Sequence, residues 1–100
     1  MTYKQRLDDL VKKCEERGLT VKFVADRHTR DYLGMNTNAA RAMGYTHCGR
    51  PMPSKTIFVD SHLSDKDKYS VLKHEVREMD LMANKNMKYF EAHRIALNEE

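Results

Sequence analysis

One hundred residues, 40% hydrophobic and 33% charged, have the composition of one folded domain, 1–100, and not of a disordered chain. No run approaches the roughly 20 apolar residues that a membrane span needs, which argues against a membrane protein. The net charge of +3 is too small by itself to argue for a nucleic-acid partner.

The opening MTYKQRLDDL is polar and helical in character and does not read as a signal peptide, so the expected compartment is the cytoplasm. Tyr3, Leu7, Leu10, Val11 and Cys14 recur at helical spacing and predict an amphipathic helix over 3–17, with Gly18 as its stop. Cys14 falls on the apolar stripe and is expected in the core as a reduced thiol. Residues 19–25, LTVKFVA, switch to β-branched and aromatic types and predict a strand.

Residues 26–53 are less regular. NTNAARAMGY predicts a short helix, capped by Asn36 or Thr37 and ended by Gly44, and one or two edge strands fit within 27–50. THCGRPMPS carries two prolines and a glycine and reads as loop. Cys48 sits beside His47 there and could bind metal, but adjacent residues seldom point at the same ion. His28 and His47 are expected to be exposed. Residues 17–55 hold seven Lys and Arg against two acids, a segment of +5 that leaves −2 elsewhere. This stretch, with His28, Arg30, Arg41 and Arg50, is a candidate surface for an acidic protein or nucleic acid, and more simply a solvated face.

KTIFVD, 55–60, predicts the second clear strand. Ser64 is placed as an N-cap, with Asp65 and Asp67 in the first turn, where the helix dipole favours negative charge. The helix that follows runs to about Ala83, and Asn84 to Asn86 break it before a last helix over 87–97. The expected fold is α+β: a small, mostly antiparallel sheet packed with an N-terminal helix, a long helix and a short C-terminal helix. His62 lies between strand and helix and reads as a loop residue near a cleft edge. Tyr69 and Phe90 are expected to anchor the two C-terminal helices together.

On a helical wheel the long helix places Leu72, Val76, Met79 and Ala83 within about 40° of one another, as a core stripe. Lys66, Lys73, Arg77, Asp80 and Asn84 form the solvent face. His74, Glu75 and Glu78 sit on neither; they are interleaved with Val71, Leu81 and Met82. Charged groups on a covered surface must be paired, protonated or bound to metal. His74 and Glu78 are one turn apart and can bind one ion together, while Glu75 points about 100° away, towards water on such an ion. In the last helix Tyr89, Ala92, His93, Ala96 and Leu97 share an inward stripe. A short link folds this helix back, which brings His93 towards His74 and Glu78. Two histidines and a carboxylate, with water in a fourth position, make a catalytic zinc arrangement. The competing reading is a buried network in which the imidazoles donate to Glu75 or Glu78.

The run KTIFVDSHL followed by VLKHE resembles the zincin metallopeptidases, in which a strand precedes a helix bearing His-Glu-x-x-His and a third ligand lies downstream. HEVREMDLM…YFEAHRIAL is also similar to short His-Glu-x-x-Glu…Ala-His segments of phage and toxin-associated proteins. The resemblance covers roughly residues 55–97. It implies a minimal zincin-like domain that cleaves peptides or proteins with bound Zn2+. His74 would be the first ligand, Glu75 the general base and His93 the downstream ligand. The chain departs from the pattern at Glu78, where the family has its second histidine, so the ligand set would be His74, Glu78 and His93.

Overall fold

The computed structural model describes residues 1–25, 32–47 and 49–99. His28, Arg30 and Cys48, named above, lie outside the described residues. The fold is α+β. Among the described residues four helices, α1 (Tyr3–Glu16), α2 (Thr37–Met43), α3 (Asp65–Asn84) and α4 (Tyr89–Asn98), accompany five strands. The strands are β1 (Thr20–Val24), β2 (Gly34–Asn36), β3 (Thr46–His47), β4 (Arg50–Pro51) and β5 (Thr56–Asp60).

Local chemistry accounts for the helix ends. Thr2 and Gln5 close a capping box on α1, Asn36 caps α2, and Ser64 caps α3 by accepting from the Asp67 N–H. Gly44 ends α2 at φ 72, a left-handed conformation that glycine takes without a steric penalty.

The main sheet has the order β1-β5-β2, with a separate β3–β4 pair. Antiparallel pairing joins β2 to β5 and β3 to β4, but the longest register, Thr20↔Thr56 to Val24↔Asp60, is parallel, so the main sheet is mixed. As the central strand, β5 is buried throughout. Its alternating side chains separate two cores. Ile57 and Val59 join Leu7, Cys14, Leu72 and Met79 beneath α1 and α3, whereas Phe58 joins Met35, Ala39, Ala40, Tyr45 and Met52 on the other side.

Several expectations are corrected. THCGRPMPS is not all loop: Thr46 pairs with Pro51 and His47 with Arg50, about a turn at Gly49 with φ 75. The lone pairs of the Pro51 carbonyl survive the loss of its N–H, so proline is tolerated at this short edge. His47 is half-buried and sets its ring edgewise on Phe58 at 4.9 Å. Phe90 anchors nothing between the helices and is 82% exposed. It lies about 160° round α4 from the buried Ala92, and Leu97 about 140°, so neither belongs to the inward stripe. Tyr69 packs instead on Tyr3 of α1 at 6.1 Å. Ala83 is exposed because α1 runs alongside α3 only as far as the Arg17–Asp80 ion pair, almost a turn earlier.

Candidate metal centre

The middle of α3 is the best covered part of that helix: α1, α2, α4, β2 and β5 all pack against it. His74, Glu75 and Glu78 are accordingly 8%, 6% and 1% exposed. The reversal at Lys85–Lys88 lays α4 against α3 through the small residues Ala92 and Ala96, both buried. That close approach delivers His93.

Three donor atoms converge. Glu78 Oε2 lies 3.1 Å from His74 Nε2 and 2.8 Å from His93 Nδ1, and the two ring nitrogens are 3.3 Å apart. The rings meet nearly edge to face, at 83°. Around a tetrahedral ion with bonds of about 2.0–2.1 Å, neighbouring donors stand about 3.3 Å apart. The three atoms thus form a slightly contracted face of such a tetrahedron, and His74, Glu78 and His93 make a cluster that could hold a metal ion. Burial pushes the Glu78 carboxyl up, but hydrogen bonding to His74 and His93 and their charge outweigh it, and the net shift is downward. Glu78 therefore stays ionised, as a ligand must be.

Glu75 stands beside the triangle and outside it, with Oε2 3.8 Å from His74 Nε2. Its other oxygen, Oε1, accepts from Asn36 Nδ2–H at 3.2 Å, and the same nitrogen donates to Glu78 Oε1 at 3.2 Å. Asn36 is fully buried, and its Oδ1 accepts the Ala39 N–H at 2.8 Å. Its neighbour Thr37 fixes this corner to the sheet: Thr37 Oγ1 accepts from the Thr56 N–H at 2.9 Å and donates to the Pro53 carbonyl at 2.6 Å. Sequence reasoning identified Asn36 only as a cap. Its contacts with α3 span 39 and 42 residues, and no local pattern announces them.

His93 is the open side of the cluster, with its side chain 39% exposed. A cleft of about 460 Å³ opens there, with His74, Glu75 and His93 on its floor and Leu33, Val71 and Leu97 among its walls. Leu33 and Leu97 are 55% and 49% exposed, so apolar surface faces solvent beside the ionisable groups. His62 does not line this cleft; its ring and its N–H both turn to Asp60 Oδ1, at 3.3 and 2.9 Å. Of the basic middle segment, Arg17 pairs with Asp80 and Arg41 donates to Ser54, and both border a separate cleft that Lys55 also lines.

Tyr89 stacks on His93 at 5.4 Å and 28°, which fixes the imidazole plane. Burial, and then the negative charges of Glu78 and Glu75, push its phenol up to about 12. The fold thus favours the neutral phenol. Stability from this source is intact below the ordinary value of about 10 and is lost as pH rises from there through about 12. In an absorbance titration of the metal-free protein, a tyrosine that ionises at about pH 12 should be lost in Tyr89→Phe. A variant that keeps that late step would place it elsewhere.

No helix among the described residues is long and apolar enough to cross a membrane. Compared with family models, with curated proteins and with solved structures, the chain finds no match.

Proposed function

We propose that this chain is a metal-dependent hydrolase, a compact zinc peptidase that holds its ion with His74, Glu78 and His93 and uses Glu75 as general base. One observation carries the reading: three donor atoms lie 2.8–3.3 Å apart, and two of their side chains, His74 and His93, line a cleft together with a second carboxylate, Glu75. Two nitrogens and one oxygen suit zinc, and three protein ligands leave a fourth position for water or substrate. Zinc supplies a lowered water pKa, near 7, and polarises a carbonyl.

The remaining steps belong to the chain. Glu75 Oε2, held towards the cleft floor, takes the proton of the attacking water and passes it to the departing amine. The walls at Leu33, Val71 and Leu97 exclude water and receive an apolar side chain of the substrate.

A second reading rests on the same distances, since 2.8 and 3.1 Å are also hydrogen-bond lengths and Glu78 Oε2 can accept from both rings without a metal. That network has a flaw. With both rings donating, two N–H groups of like polarity stand 3.3 Å apart. A cation at the centre would instead meet a lone pair from each atom.

Metal analysis of the purified protein separates the two. The expected result is one zinc per chain, lost in His74→Ala and in His93→Ala. A wild type that takes up no zinc, with variants that only melt earlier, would establish the metal-free network in its place.

A further inference from the structure

We infer that Asn36 is a positioning residue that keeps Glu75 out of the ligand set and so keeps the metal's fourth position open. This rests on the metal-centre reading and deepens it.

α3 presents two buried carboxylates to one small volume. Glu75 and Glu78 are three residues apart, and each has one oxygen within 3.8 Å of His74 Nε2. Glu75 lies outside the triangle of donors, and a rotation of its side chain towards the centre would make it a fourth protein ligand. A closed set of four protein ligands is a structural site, whereas catalysis needs a free position. Nothing in the type of the two residues distinguishes base from ligand. Their partners do.

The Asn36 amide has two N–H bonds, and the geometry gives one to each carboxylate. The Ala39 N–H on Oδ1 fixes which way the amide faces, so the NH2 group must turn to the glutamates. Glu78 is left with Oε2 for the histidines and Oε1 for the amide, which makes it a one-oxygen ligand. Glu75 is restrained through Oε1, with Oε2 beside the centre and not in it. Asn36 can do this because it is held twice over, as the cap of α2 and as the last residue of β2. Groups that orient ligands in this way typically change metal affinity or activity about 10–100-fold when lost.

Asn36→Ser tests the inference. Serine caps a helix about as well as asparagine, but its single short hydroxyl is then occupied and cannot reach α3. With cobalt(II) in place of zinc, the wild type should show the intense visible bands of a four-coordinate ion, and added azide should shift them by displacing water from the fourth position. Asn36→Ser should still bind cobalt with four-coordinate bands, but azide should no longer move them, as Glu75 fills that position. Asn36→Ser/Glu75→Gln should regain the azide response, since the amide is a poor ligand. Asn36→Thr, also a cap, repeats the comparison should the serine variant not fold. A residue that merely supports the fold would lower the melting temperature and leave the azide response alone. An azide response undiminished in Asn36→Ser, a response not regained in the double variant, or loss of cobalt binding in both Asn36→Ser and Asn36→Thr would overturn the role of Asn36 while the metal site stands. A wild type that takes up no cobalt or zinc would remove both.

Discussion

Glu75→Gln is expected to keep the zinc and lose the chemistry, with turnover of a quenched fluorescent peptide library falling about 10²–10⁴-fold. The substitution is nearly isosteric. The Gln side-chain oxygen can still accept from Asn36, so the buried amide is not stranded. The melting temperature of the metal-free variant reports whether the fold keeps its stability after the change. Where it does, with the zinc still bound, loss of activity cannot be blamed on unfolding or on an empty site. The metal content decides the point: a variant with one zinc, wild-type melting behaviour and undiminished hydrolysis would show that Glu75 is not the base. The effect should fall on kcat with KM little changed, since Glu75 acts in proton transfer and not in holding the peptide.

The elements were legible in the sequence wherever a local rule governs them. Ser64 with Asp65 and Asp67 marked the start of α3, Asn36 and Gly44 bounded α2, and both clear strands stood where their β-branched residues put them. The interleaving of His74 and Glu78 with apolar neighbours foretold a covered cluster, and α4 does bring His93 to it. The failures have a common cause in tertiary geometry. Strand signals carry no direction, so neither the parallel β1–β5 pairing nor the place of β5 between β1 and β2 could be read from them. His47 looked like a loop residue because its partner, Phe58, belongs to a strand eleven residues on. The inward face of α4 was drawn too wide, since alanines at 92 and 96 set a close approach that leaves no room for Phe90 or Leu97 between the helices. The Asn36 clamp lay beyond reach for the same reason, as its donors and acceptors meet only after β2 and α3 have docked.

Gly34 exposes how tightly that docking is set. It lies in β2, two residues before Asn36, and has no left-handed backbone angle to explain its type. By ordinary rules Gly34→Ala should stabilise the protein by about 0.4–1 kcal/mol, through a less disordered unfolded chain. The packing predicts the opposite sign. An added Cβ would lie 2.6 Å from Val71 Cγ1, 3.1 Å from Glu75 Cγ and 3.2 Å from the Phe58 carbonyl oxygen. The carbonyl belongs to the central strand, and a β-branched side chain in a helix has essentially one rotamer, so neither can swing aside. α3 must back away from β2. Overpacking of this kind costs about 1–3 kcal/mol, or a melting temperature lower by about 4–8 °C for each kcal/mol. The same retreat shifts His74 and Glu78, which α3 carries, against His93 on α4, so zinc affinity should fall together with stability. Gly34→Ala/Val71→Ala removes the offending methyl group and should recover much of both losses, a coupling that two independent sites would not show. A Gly34→Ala protein that melts at or above the wild-type temperature and binds zinc as tightly would mean that β2 and α3 are not in contact at this point, and the alignment of Asn36 with the two carboxylates would have to be drawn again.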